Sequence, residues 1–164
     1  MSIVITFLLT LFFLLGAFFL TALNSSLRRL HKSNPKLNSL PARFFYRRLH
    51  THIFPKQQWE ALYFAMTCAQ NLCRFCFAFS AIILFMKIYP DGLDAILDGN
   101  ISPINLIWII PLFFLFLLFS FLLADYLPRI LGDRFPQIMF QLSAFISSIF
   151  LTLALPISYI FLTF

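Results

Sequence analysis

Long apolar runs without any charged residue constrain this chain more than any other feature. Residues 2–23 contain no Asp, Glu, Lys or Arg, and residues 138–164 contain none either. An α-helix rises about 1.5 Å per residue, so about 20 apolar residues cross the roughly 30 Å hydrocarbon core of a bilayer. Only 11% of the residues are charged, whereas soluble domains average about 25%. The sequence therefore excludes an ordinary soluble domain and predicts an all-α integral membrane protein.

The first run, residues 2–23, is predicted to stay in the protein as span one. A cleaved signal peptide begins with positive charge and has a shorter apolar core before a cleavage site of small residues. Here no Lys or Arg precedes the run, and the run is longer than such a core. We therefore expect it to cross the membrane.

Residues 24–58 form the basic part of the chain. They hold eight of the twelve Lys and Arg residues: Arg28, Arg29, Lys32, Lys36, Arg43, Arg47, Arg48 and Lys56. Short loops rich in Lys and Arg stay in the cytoplasm. The predicted topology in the plasma (inner) membrane therefore has a cytoplasmic loop 24–58 and an outside N-terminus, and the basic charge is a topology signal rather than a sign of nucleic-acid binding. The aromatic and basic stretch 43–49 fits either an amphipathic helix on the inner leaflet or a solvated loop.

Two further spans are predicted in the middle of the chain. The second, residues 59–89, begins at Trp59, whose ring suits the membrane interface. The loop after it, 90–103, contains three Asp and no Lys or Arg, so it belongs outside. The third span, 105–127, ends before Arg129, which marks the cytoplasmic side again.

The apolar segment 138–164 is ambiguous at the sequence level. Its length fits a fourth span, but its Gln, Ser, Thr and Pro residues fit a helix pair at the interface or a re-entrant segment as well. The predicted fold is therefore three transmembrane helices plus a juxtamembrane or fourth apolar helical segment.

Arg74 lies near the middle of the second predicted span, where a charged side chain is costly unless it faces water or an acid. Helical spacing places Thr67, Gln70 and Asn71 on the same face. This face predicts either the lining of an ion or substrate pathway or a polar seam that holds helices together.

Asp125 is the acid of the third predicted span and the natural partner of Arg74. It would act as a counter-charge or as a hard oxygen ligand for a cation. A plainer interpretation is an interfacial acid beside Arg129.

Other reactive residues give no enzyme signature. Cys68, Cys73 and Cys76 lie in an apolar segment without the fourth Cys of an iron–sulfur pattern, so we expect neither a cluster nor a disulfide framework. The pair His50 and His52 lies in a basic loop and is expected to be solvated. We expect no enzyme activity and no covalently bound cofactor.

The end of the third predicted span resembles a motif of the CNNM/CorC transmembrane domain. In that family the third helix ends in Gly-Glu-x-x-Pro-Lys, and here Ala124, Asp125, Pro128 and Arg129 stand at those positions. Two other segments are similar as well. Residues 17–27 resemble the family's Phe-Phe-Ser-x-x-Glu-x-Ala-Leu stretch, and residues 70–74 resemble its Asn-Asn-Leu-x-Asn.

The resemblance implies a homodimeric membrane domain of three spans with a belt of juxtamembrane helices, to which 138–164 would belong. It implies magnesium transport with sodium as a coupling ion. The implied cation site combines small polar residues ending helix one, the amide of helix two and the Pro break of helix three, here Thr21, Asn71, Asp125 and Pro128. A Pro break frees carbonyl oxygens beside a carboxylate, and Mg²⁺ prefers such oxygen ligands.

Three residues depart from the family pattern. Leu20 stands where the family has Ser, Leu23 where it has Glu, and Arg74 where it has Asn. A guanidinium at that position would repel Mg²⁺ or occupy its site. The family's cytoplasmic nucleotide-binding modules are not in this sequence, so we expect any such regulation to come from a separate cytoplasmic protein. The resemblance therefore implies divalent-cation transport, with a rival interpretation as a non-transporting scaffold or accessory subunit in which an internal Arg74/Asp125 pair replaces the cation.

Overall fold

The computed structural model describes residues 2–33, 44–46, 52–53, 58–88, 111 and 114–163. The predicted outer loop 90–103, most of the stretch 105–113 and His50 lie outside these residues. Four long helices make up most of this described part: α1 (Ile3–Ser33), α2 (Gln58–Ile88), α3 (Phe114–Arg134) and α4 (Pro136–Thr163). No strand occurs among the residues that the structure describes.

All four helices are long and apolar enough to cross a membrane, judged by length and composition. The all-helical prediction is confirmed in this coarse form. The C-terminal segment, which the sequence left open, forms one continuous helix, α4, rather than a helix pair. Pro156 lies inside that helix.

Helix α1 is the centre of the bundle, because α2, α3 and α4 all pack against it. Its buried side includes Leu20, Leu23 and Leu27, each of which is fully buried in the core. Small residues of the neighbouring helices, such as Ala65 and Ala144, let the backbones approach closely. Two of the departures from the family motif, Leu20 and Leu23, are therefore core residues rather than part of a polar cavity.

The outer surface of the bundle is apolar. Val4, Phe79 and Leu153 each expose more than half of their surface, at 65%, 61% and 64%. Monomeric soluble proteins rarely leave such extensive apolar surface in water. This surface suits lipid.

Helix α3 contains a π-helical turn at Leu122–Tyr126, directly before Pro128. Within it the N–H of Leu127 donates to the carbonyl oxygen of Leu122, five residues back instead of four. Pro128 has no N–H to donate, so a regular ladder could not continue through this point. The turn changes the rotation of the helix where Asp125 lies.

Two residues of the basic loop, Phe44 and Tyr46, are buried in the bundle, which neither sequence interpretation anticipated, whereas Phe45 between them is exposed. Phe44 and Tyr46 are 2% and 0% exposed. The Phe44 ring centroid lies 5.8 Å from that of Phe140 in α4. Burial raises the pKa of the Tyr46 phenol above its usual value, so the side chain stays neutral there.

Candidate functional site

One polar cavity of about 420 Å³ opens among α1, α2 and α3. Each helix contributes polar side chains, and together these form the lining: Thr21, Asn24, Ser25, Arg28, Thr67, Gln70, Asn71, Arg74, Arg129 and Asp133. The three cavity residues predicted on α2 beside Arg74 are all present. The structure therefore brings residues that are far apart in sequence to one place.

A hydrogen-bonded junction at Thr21 ties the three helices together on one side of the cavity. The amide Nε2 of Gln70 donates to the hydroxyl oxygen of Thr21 at 2.7 Å. The Thr21 hydroxyl lies 2.8 Å from the carbonyl oxygen of Ala17 and 3.1 Å from that of Ala124, and can donate to either. Both polar side chains are nearly inaccessible, at 3% for Thr21 and 6% for Gln70.

The role of Pro128 follows from this junction. An α-helix would pair the Ala124 carbonyl with the N–H four residues later, but residue 128 is a proline and has none. The Thr21 hydroxyl supplies a donor to that carbonyl instead. Pro128 itself is buried, so its contribution to the site is the freed backbone oxygen and not a side-chain ligand.

Asp125 forms an ion pair with Arg74, joining α3 to α2 across the cavity. The carboxylate side chain is 14% exposed and the Arg74 side chain 36%. The Arg129 guanidinium also approaches the same carboxylate oxygen, at 3.4 Å, from one helical turn further along α3. Asp125 therefore contacts Arg74, as a counter-charge would, and Arg129, as the plainer interpretation expected, and both arginines approach the same carboxylate oxygen.

The cavity carries more positive than negative charge among the residues that the structure describes. Its lining holds the guanidinium groups of Arg28, Arg74 and Arg129 and the carboxylate of Asp133, and the Asp125 carboxylate, which is not part of the lining, binds Arg74 from beside it. The Nε of Arg28 donates to the Asn24 side-chain oxygen at 3.0 Å. One positive charge is left without an acidic counterpart in this set.

The oxygen atoms that could hold a cation are few. In the described part of the chain, no group of three His, Cys, Asp or Glu side chains is close enough to share a metal ion. A hard cation would depend on Asp125, the Asn71 amide oxygen, the Thr21 hydroxyl and the Ala124 carbonyl. In this conformation the Arg74 guanidinium is bound to the carboxylate that such a cation would need.

Five lining residues were not predicted as cavity residues from the sequence: Asn24, Ser25, Arg28, Arg129 and Asp133. The first three follow Thr21 at helical spacings of three, four and seven residues, so a polar stripe at the end of α1 was readable. The signal was hidden because these residues stood at the start of a basic loop. The three cysteines, by contrast, are free thiols outside the cavity lining, as described by the structure.

Comparisons with protein-family models, with curated proteins and with solved structures find no match for this chain.

Proposed function

We propose that this chain is a membrane domain of the CNNM/CorC type that transports divalent cations, Mg²⁺ foremost, across the inner membrane. The observation that supports the proposal is that Thr21 and Asn71 line one polar cavity and that Asp125, in the helix break of α3, forms an ion pair with Arg74 of the same lining. These residues come from three helices; helical spacing and charge already pointed to Asn71 and Asp125, and the resemblance added Thr21. In this proposal the N-terminus is outside, the basic loop is cytoplasmic and two copies form a homodimer, with a separate cytoplasmic protein as a regulatory partner.

In this mechanism the Arg74 guanidinium, which is covalently part of the protein, binds Asp125 in place of a mobile cation. While its guanidinium holds Asp125, the carboxylate is neutralised and no mobile cation binds. The Arg74 side chain is 36% exposed, so it can turn into the cavity without crossing the core. Asp125 then becomes available together with the oxygens of Asn71 and Ala124, while Mg²⁺ keeps several of its waters. Sodium would compete for the same oxygens as a coupling ion.

The test is a Mg²⁺ titration of the thermal unfolding midpoint of purified, detergent-solubilised protein. A cation that binds the folded bundle raises the midpoint saturably. We expect a shift for the wild type and for Asp133→Asn, and none for Asp125→Asn. Asp133 is the matched control because its carboxylate lines the same cavity without an ion pair to Arg74. Proteoliposomes should show Mg²⁺ uptake with the same pattern among the three proteins.

The rival function is a non-transporting scaffold or accessory subunit. It is favoured by the second contact of Asp125, because Arg129 joins Arg74 at a single carboxylate oxygen. Here Mg²⁺ should leave the wild-type midpoint unchanged and raise that of Arg74→Asn, in which the acid is freed. If Mg²⁺ stabilises neither protein, Asp125 is not a cation ligand and the transport proposal fails.

A further inference from the structure

Helix α2 carries one face that changes character along its length. Its cytoplasm-proximal half presents Gln70 and Arg74 to the polar cavity, and its other half presents Leu84 and Ile88 to a second, apolar groove. These positions share one face at helical spacing. From Arg74 to Ile88 the face runs about 21 Å.

Helix α3, on the opposite wall, also has apolar residues at the groove and charged residues at the cavity. Leu118 and Leu122 line the apolar groove, whereas Arg129 and Asp133 line the polar cavity. Asp125 lies between the two sets and pairs with Arg74, which holds the same intermediate place on α2. The groove has a volume of about 590 Å³, and the described side chains that line it are all apolar. We call the groove and the cavity together the α2/α3 seam.

We propose that one anionic lipid of the cytoplasmic leaflet occupies the α2/α3 seam. Its phosphate would contact Arg28 and Arg129 at the cavity, and an acyl chain would lie in the groove between α2 and α3. Charge complementarity supports the headgroup, because the described lining of the cavity holds three guanidinium groups and one carboxylate, and the Asp125 carboxylate beside it binds only one of the three closely, Arg74. Basic pockets between transmembrane helices on the cytoplasmic side bind anionic headgroups.

The direction of the seam supports the acyl chain. In the proposed topology, the Arg-lined end faces the cytoplasm and the apolar end points toward the opposite leaflet, as the chains of an inner-leaflet lipid do. Side chains on both walls of the groove are accessible, such as Leu118 at 45% and Ile88 at 62%. The inference goes beyond the proposed cation transport and does not need it, because the headgroup contacts Arg28 and Arg129 and leaves the Arg74–Asp125 pair intact.

The test measures binding of dioleoylphosphatidylglycerol to the purified protein in detergent, by native mass spectrometry and by the shift of the thermal midpoint. Dioleoylphosphatidylcholine and inorganic phosphate are the comparison ligands. Two matched pairs of variants separate the headgroup from the chain. Arg28→Gln removes a charge from the cavity, and Arg29→Gln removes one from its exposed neighbour. Leu118→Trp fills the groove, and Leu117→Trp adds the same ring at a position of equal exposure (46%) outside it.

We expect phosphatidylglycerol to bind saturably, and Arg28→Gln to weaken it about fivefold, as expected for one basic contact. Leu118→Trp should weaken it about tenfold through lost acyl-chain burial, while Arg29→Gln and Leu117→Trp behave like the wild type. Equal binding of phosphatidylcholine, or equal stabilisation by inorganic phosphate alone, overturns the proposal. So does a Leu118→Trp protein that binds normally or that changes from dimer to monomer, since the latter would place a second copy in the groove.

Discussion

At the scale of single residues, Thr21 holds more of the site together than any charged group. One hydroxyl accepts from Gln70 and lies within bonding distance of two carbonyl oxygens, so three helices share one atom. Nearly all water is excluded from both side chains. Polar groups in such places cost free energy when a partner is lost, because no solvent can replace the bond.

Thr21→Val should lower the free energy of unfolding by about 1–2 kcal/mol, since it leaves the Gln70 amide and the Ala124 carbonyl without this partner. Thr10→Val is the matched control. Thr10 is also buried in α1, but its hydroxyl donates only within its own helix, to the Thr6 carbonyl oxygen at 2.8 Å. Denaturation of both variants in mixed micelles measures the difference. Equal losses of unfolding free energy in Thr21→Val and Thr10→Val would show that the contacts of Thr21 with α2 and α3 add no stability.

At the scale of elements, the close crossing of α1 and α3 fixes where the helix break of α3 can lie. A Cβ atom added at Gly132 would stand 2.9 Å from the Ala22 carbonyl oxygen and closer still to the Ser25 hydroxyl. The backbone of α1 cannot yield as a flexible side chain can. The crossing therefore depends on a glycine one turn after Pro128.

Gly132→Ala should destabilise the protein by about 1–3 kcal/mol, as overpacking does in a filled interior. Whether Gly132→Ala lowers or raises the stability distinguishes a close helix crossing from an unconstrained site. At an unconstrained helical site the same change stabilises by roughly 1 kcal/mol, because alanine favours the helix. A rise in the thermal midpoint of Gly132→Ala would mean that α1 and α3 are further apart than in this structure.

At the scale of the whole molecule, the apolar runs were sufficient to predict an all-helical protein with three membrane-spanning helices, but they left the C-terminal segment, now α4, undecided. The period and charge of the polar residues predicted the α2 face that lines the cavity and the partnership of Arg74 with Asp125. Periodicity assigns residues to a helix face but not to a neighbour, so the α1 contribution through Asn24 and Arg28 was missed. The burial of Phe44 was missed for a related reason, since charge around it predicted solvent or lipid headgroups.

Four crossings would place both chain ends on the same side of the membrane, whereas a juxtamembrane α4 would leave the C-terminus in the cytoplasm. The four apolar helices lead us to expect the first arrangement. Ser2→Cys and Thr163→Cys should then both react with a membrane-impermeant maleimide applied from outside. Ser33→Cys, at the exposed end of α1 that the proposed topology places in the cytoplasm, should react only after permeabilisation. Protection of Thr163→Cys in intact cells would show that α4 does not cross.

The π-helical turn of α3 has a consequence for how such a protein can evolve. A π turn is an α-helix with one residue inserted, and here the insertion separates Leu118 and Leu122 from Arg129 and Asp133. Loss of a single codon within Leu122–Tyr126 would remove the extra residue and rotate the two halves of α3 by about 100° relative to each other, while Pro128 would still interrupt the hydrogen-bond ladder. The leucines and the charged residues could then no longer face α2 together. One three-nucleotide deletion would thus separate the apolar groove from the arginine cavity without altering any residue that lines either of them except Leu122.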